Sequence, residues 1–313
     1  MYINPATEKL AKKYPAKMGE VNPSQKMRSI KKWIETYLSG KGVVLSNRNA
    51  VLYPEVTGYW IETALSLGYT ARAEKWYQWL LSIQNADGGW SGPGVHGGSL
   101  FFDSGQVIRG LATYARYTRQ KIGNVEKKYL RYFDAHKEEN LIPKNFDQHT
   151  INWYLINLQV AWIVRRRWPS HISLTWLEKT LKPYLKVWEV GHQARHIDIY
   201  VLEALHELGI GKTRLHHYLK YFDKKVADLG YVPCDRTHDA PCYTATAQLG
   251  VLYYKMGKKK KGALLFERML AELSVHRGNW PGSGKGGNYM QHHEISWGLK
   301  YFLDLLQYYI KGK

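Results

Sequence analysis

Cysteine is nearly absent: the 313 residues include two, Cys234 and Cys242. Two thiols do not make a disulfide framework, although a pairing across a loop stays open, and their spacing is not a zinc-ribbon pattern. No apolar run reaches the roughly 18 residues that a membrane span requires, so no transmembrane helix is expected. Met1 to Met27 mixes Lys, Glu and Pro without an apolar core. No signal peptide is visible there, and a cytoplasmic location is the expectation. No Pro/Ser-rich linker or composition shift divides the chain. One domain, 23–313, is therefore expected behind an irregular leader, 1–22. Phenylalanine is scarce, 7 residues against 24 Tyr and 12 Trp. Rings with a polar handle suit a wall that stacks on sugars, and they also fill helical cores. Acidic residues are outnumbered 26 to 45, leaving a formal charge of +19. That balance points to a nucleic acid, an anionic membrane surface or an acidic polysaccharide, or to a solvated basic exterior. The run Lys258 to Lys261 reads as solvated.

What is present is repetition. Tyr53 to Trp90 reads as a helix, a tight turn at Gly68, a returning helix from Thr70 to Ile83 and a Gly-rich loop. Pro54 and Glu55 suit the first helical turn, and Gly68 suits the position after the last. Such a hairpin cannot bury its apolar faces alone. Similar starts recur at Asp103, His149, His196, Cys242 and His293, about 46 to 51 residues apart. The last of these helices has no return partner, and neither has the helix expected over residues 23 to 38. Pairing the two closes an all-α ring of six hairpins, an (α/α)6 toroid, without an exposed apolar end.

The first helix of each pair is low in charge and should form the inner ring, while the return helices carry Lys and Arg and should face water. All inner N-termini then gather at one mouth. The candidate residues there are Tyr53, Glu55, Tyr59 and Trp60; Asp103, Gln106 and Arg109; His149, Asn152 and Trp153; His192, Arg195, His196 and Asp198; Arg236, His238 and Tyr243; His293, Glu294 and Trp297. Glu55, Asp103 and Glu294 come from hairpins that closure would make neighbours. Helix axes roughly 8–10 Å apart allow carboxylates at the separation of an inverting glycosidase, with a protonated acid facing a base. Each acid alone also fits a helix N-terminus, where carboxylates are common. His196, flanked by Arg195 and Asp198, offers a base for β-elimination or C5 epimerisation of a uronate. A mixed zinc shell from Cys242, Asp235 or Asp239 and His292 or His293 has no compact ligand motif, so no metal or cofactor is assigned. Gly282 to Gly287 lacks the Walker spacing and reads as a mobile loop.

Gln84-Asn-Ala-Asp-Gly-Gly-Trp90 resembles the Gln-Trp repeat of squalene cyclases and prenyltransferase-type toroids, whose Asp-x-Asp-Asp acid run is absent here. Tyr53-Pro-Glu-Val-Thr-Gly58, Phe102-Asp-Ser-Gly-Gln-Val-Ile-Arg-Gly-Leu111 and Glu294-Ile-Ser-Trp-Gly-Leu-Lys-Tyr-Phe-Leu-Asp304 are similar to bacterial helical-toroid proteins encoded with exopolysaccharide biosynthesis genes. That resemblance covers the chain from about residue 50 and implies a glycan context. The leading expectation is an enzyme that hydrolyses an anionic, uronate-containing polysaccharide. A polysaccharide lyase or epimerase, a terpene- or prenyl-type enzyme and a non-catalytic glycan binder stay open. Nucleic acid is not expected as a partner, because the cations are spread over outer helices without a recognition motif.

Overall fold

A computed structural model describes residues 23–38, 40–94, 97–191, 195–273 and 277–311. The expected leader, 1–22, and His192 lie outside the described residues. The fold is all-α apart from one short hairpin. Helix α1 spans Pro23–Tyr37, and strands β1 (Val44–Ser46) and β2 (Asn49–Leu52) pair antiparallel. Six helical segments rich in apolar residues follow with their partners. α2 (Pro54–Ser66) is returned by α3 (Thr70–Ser82), and α4 (Phe101–Thr118) by α5 (Asn124–Leu141). α6 (Gln148–Leu155) and α7 (Leu158–Arg167) precede α8 (Leu174–Val187). α9 (Arg195–Leu208) is followed by α10 (Lys212–Leu229), α11 (Tyr243–Lys255) by α12 (Lys259–Glu272), and α13 (Ser296–Lys311) closes the order.

Sequence sets these roles through burial pattern. α2 has Pro54 and Glu55 in its first turn and buries ten residues on all sides, whereas α3 buries only Ala73, Trp76, Tyr77 and Leu80. A helix apolar all round belongs inside, and an amphipathic one covers it. α2 packs on α4, α4 on α7, α7 on α9, α9 on α11, α11 on α13, and α13 on α2. The turn from α2 to α3 passes Gly68 at φ +81°, the left-handed conformation that ends a helix cheaply.

One contact sets the geometry of the first two inner helices. A Cβ on Gly110 would lie 1.9 Å from the Gly58 carbonyl oxygen, and one on Gly58 would lie 2.5 Å from that of Gln106. The two backbones touch because neither residue has a side chain there. Glu55 lies about one turn before Gly58, and Asp103 about one turn before Gln106 and two before Gly110, and both acids line the same cavity.

The Gln-Trp loop is a brace. Gln84 Nε2 donates to the carbonyls of Gly88 (2.8 Å) and Val125 (3.0 Å), and Trp90 Nε1 donates to that of Leu80 at 2.8 Å. The Trp90 amide donates to Ser104 Oγ at 2.8 Å, fixing the first turn of α4.

The observed elements differ from the expected ones in three places. The hairpin Val44–Leu52 was not anticipated, and it is tied into the fold by bridges of Ser46 to Ile295 and by Thr57 Oγ1 accepting from the Val43 amide at 2.9 Å. The third inner helix is broken, with Ile156 and Asn157 between α6 and α7, and Asn157 Nδ2 donating to the Asn140 carbonyl at 2.8 Å. The last inner helix begins at Ser296, not His293, because Glu294 and Ile295 are extended and bridge to Pro281 and Ser46. α1 lies beside the end of α12, where Lys26 Nζ donates to the carbonyls of Leu270 (2.6 Å) and Ala271 (2.8 Å).

Candidate functional site

The N-terminal ends of α2, α4, α9 and α13 surround a cavity of about 360 Å³. Its wall includes Tyr53, Glu55, Tyr59, Phe102, Asp103, His196, Tyr200 and Trp297, with Trp153, Ile156 and Asn157 contributed from the broken third inner helix. Tyr53 meets Trp297 edge to face at 6.3 Å, and Phe102 meets Tyr200 likewise at 5.5 Å. Beneath them Tyr301 contacts both Tyr59 (6.1 Å) and Tyr200 (5.8 Å), forming a layer of buried rings.

Two carboxyl groups share this wall. Glu55 and Asp103 are each only 6% exposed. Burial raises both, because an apolar surrounding disfavours the charged form. Asp103 is pushed up to about 7 by that desolvation, against a backbone hydrogen bond that favours its ionised form. Glu55 goes well above its ordinary value, first through burial and then through the Asp103 charge, while the Tyr53 phenol and Lys300 pull it the other way. A negative charge on Asp103 raises the proton affinity of Glu55 further. Asp103 Oδ2 is buried without a hydrogen-bond partner among the described residues.

His196 adds a neutral imidazole to the same wall, with burial pushing it down to about 3. Its Nε2 lies 3.2 Å from the Tyr289 hydroxyl, and the two rings are 4.4 Å apart. Trp153 is 50% exposed at the rim, and its Nε1 donates to His149 Nε2 at 3.1 Å, which orients the ring.

The sequence matches no family model and no curated protein. A solved structure described as a novel alpha-amylase from Clostridium perfringens superposes with a TM-score of 0.61 over 91% of this chain and 98% of its own, at 10% identity. That likeness is one of fold.

Several expected site residues stand elsewhere. Glu294 is not the third member of an acid cluster in this cavity. It lines a second cavity of about 530 Å³ with Tyr243, Arg48, Arg277 and Lys285, and accepts from Trp33 Nε1 at 2.8 Å. His293 pairs its Nδ1 with Ser46 Oγ at 3.0 Å, anchoring β1. Arg109 lies beyond the tyrosine layer, paired with Glu62 at 2.6 Å over the Trp162 ring. Although burial opposes it, the Arg109 guanidinium holds the Glu62 carboxyl down at about 2.

Arg195 and Asp198 are fully buried and face each other at 3.5 Å, with Arg195 Nη2 donating to the Tyr221 hydroxyl at 2.9 Å. Burial pushes Asp198 up to about 7 against the pull of Arg195. Neither residue lines the cavity. Trp60 is core, packed against Trp76 and donating to the Ser296 carbonyl at 3.0 Å. Asn152 holds the Trp188 indole at 2.7 Å, and Gln106 is buried with both amide atoms unpartnered among the described residues. Arg236 pairs with Glu189 at 2.5 Å and His238 with Asp235 at 3.0 Å, both on exposed loop surface.

Sequence reasoning overlooked Tyr200, Asn140, Asn157 and Tyr289. Tyr200 could have been found, since it follows His196 by one helical turn and shares its face. Tyr289 carries no local signal, being brought in by the loop before α13. Among the described residues no three His, Cys, Asp or Glu side chains converge on a common point, so the mixed shell around Cys242 does not assemble.

Proposed function

We propose that this chain is a closed (α/α)6 toroid and a carbohydrate-active enzyme that hydrolyses a glycosidic bond across Glu55 and Asp103. The observation that carries the proposal is a pair of buried carboxyls on one cavity wall, both with a raised affinity for protons. A group that remains protonated near neutral pH beside one that can ionise there is what general-acid and general-base roles require. Glu55 protonates the leaving oxygen, and Asp103 takes the proton of the attacking water. Tyr53 orients Glu55, and the rings of Trp153, Phe102 and Trp297 offer faces on which sugars stack.

The described wall contains no Lys or Arg. In this reading the sugar units flanking the scissile bond are neutral. The acidic units of an anionic polysaccharide, which the +19 balance favours, meet the second cavity with Arg48, Arg277 and Lys285. The ring of helix contacts that ends with α13 on α2 supports the toroid. Incubation with a panel of neutral and acidic polysaccharides, with products read by mass spectrometry, tests the proposal. Glu55→Gln and Asp103→Asn should each abolish product. Turnover that survives both substitutions would end the carboxylate mechanism.

A second reading, elimination from a uronate, is favoured by one observation: His196 is a neutral imidazole in the cavity wall. It predicts products with unsaturated-uronate absorbance, where hydrolysis predicts none.

A further inference from the structure

A concentration of charge lies at the far end of α4 from the carboxyl pair. Asp103 is in the first turn of that helix and Arg116 in its last, so a rise of roughly 1.5 Å per residue puts them about 20 Å apart along the axis. There the ends of α4 and α7 and the start of α5 enclose a cavity of about 570 Å³. Its wall carries the cations Arg116, Lys121, Lys127, Arg166 and Arg167 against one carboxyl, Glu126, which accepts from Trp168 Nε1 at 2.8 Å. None of these cations is ion-paired with a carboxylate among the described residues. The adjoining cavity, which shares Arg166, is built the opposite way: there Arg109 pairs with Glu62, Lys255 with Glu203 and Glu207, and Lys300 with Asp304.

Ordinary helix electrostatics explains part of the cluster. Cations are favourable at the negative end of a helix, which accounts for Arg116 on α4 and for Arg166 and Arg167 on α7. The same rule works against Lys127, which lies in the first turn of α5. Solvation by water does not account for Arg167 either, because that side chain is half-buried and held in place. Its Nη1 donates to the Ala112 carbonyl at 3.3 Å and its Nη2 to the Thr113 hydroxyl at 2.8 Å, both neutral partners. Burial and then the Arg116 charge lower its proton affinity below the ordinary arginine value; Glu62 opposes this, and Arg166 and Arg109 add to it. A guanidinium among like charges with neutral partners lacks a counter-charge, and an anion in the cavity would supply one.

We propose that this cavity binds a compact, multiply charged phosphoryl group such as a diphosphate, held by Arg116, Arg166 and Arg167 with Lys121 and Lys127 at its edge. A guanidinium fork meets two oxygens of a phosphoryl group at once, and the excess of cations over the single carboxyl matches a group that carries more than one negative charge. The concave wall favours a small ligand over a polymer chain. Trp168 and Ile122 stand beside the cations and offer an apolar face to an organic body that carries the group. The inference does not rest on the glycan reading, since neither Glu55 nor Asp103 lines this cavity.

Isothermal titration calorimetry of the full chain at physiological ionic strength in chloride tests this. Inorganic pyrophosphate should bind saturably at a single site, and more tightly than inorganic phosphate. Arg116→Gln combined with Arg166→Gln should weaken pyrophosphate about tenfold or more, because charge-assisted hydrogen bonds are lost. Both side chains are exposed, so the urea midpoint should not fall; Lys127→Gln, with a smaller loss of affinity, serves where the double variant does not fold. Arg48→Gln combined with Lys285→Gln alters the cation-bearing cavity beside Glu294 and should leave pyrophosphate affinity unchanged. Adenosine diphosphate presents the same group on an organic body: binding tighter than that of pyrophosphate assigns Trp168 and Ile122 to the body, and equal binding assigns the free anion. The proposal is overturned by absence of saturable pyrophosphate binding, by an affinity indifferent to the Arg116 and Arg166 substitutions in a folded protein, or by a loss that follows Arg48 and Lys285 instead. Heparin binding that depends on Arg116 and Arg166 without any pyrophosphate binding would overturn it too, by making this face a polymer-binding surface.

Discussion

Asp103→Asn should stabilise the fold while abolishing the reaction, and the gain should depend on pH in a defined way. In the folded chain burial lifts Asp103 from its ordinary 3.8 to about 7. A group with a raised folded value binds more protons folded than unfolded, so stability falls as pH rises between the two values. The loss begins near pH 4 and is complete above about pH 8. The shift of about 3 units at roughly 1.36 kcal/mol each amounts to about 4 kcal/mol. The carboxyl is almost fully buried, so solvent screening takes little from this figure. Asparagine keeps the shape and removes the titration. Urea denaturation of both proteins from pH 4 to pH 8 reads the effect of losing the Asp103 charge, which includes the lower proton affinity this gives Glu55, because any cost of the amide itself is the same at every pH. The difference in unfolding free energy should rise steadily in favour of the variant and level off above pH 8. A difference that stays flat across this range would show that Asp103 is not held protonated by burial, and the acid/base pair would lose its basis.

Other perturbations separate the parts of the molecule. Gly110→Ala places a methyl group 1.9 Å from the Gly58 carbonyl, so α2 and α4 must part; a loss of about 1–3 kcal/mol is expected from overpacking. The same separation weakens the hold of the Asp103 charge on Glu55, so carboxyl-carbon NMR should show Glu55 titrating at lower pH than in the wild type. Trp153→Ala should raise KM with the urea midpoint unchanged, since that ring is 50% exposed. Glu294→Gln should leave kcat near the wild-type value, because its carboxyl lies in a different cavity; loss comparable to that of Glu55→Gln would restore it to the chemistry.

The alternation of buried and amphipathic helices was legible because it is written in local periodicity, and Gly68 marked a real helix end. The hairpin Val44–Leu52 was hidden because it is short and held by partners more than 200 residues away, such as Ile295. Within the site, Glu55, Tyr53 and Asp103 were legible because they sit at helix starts. Arg109 was misplaced for a geometric reason. It follows Asp103 by six residues, and a rise of roughly 1.5 Å per residue carries it about 9 Å down the axis, past the tyrosine layer. Asp198 was misjudged because its neighbour Arg195 was read as facing the same opening, whereas the pair satisfies itself inside the wall. Glu294 missed the cavity because the chain before Ser296 is extended, so the residue never joins the helix that would have aimed it inward.

The layer formed by Tyr59, Tyr200 and Tyr301 has a consequence for traffic. With Lys300 beneath it, 5.0 Å from the Tyr59 ring and 4.2 Å from that of Tyr301, the axis is plugged. The layer stands between the cavity that holds Glu55 and Asp103 and the one lined by Arg109 and Lys300. In the proposed reaction, substrate and product would therefore both pass the rim at which Trp153 is exposed.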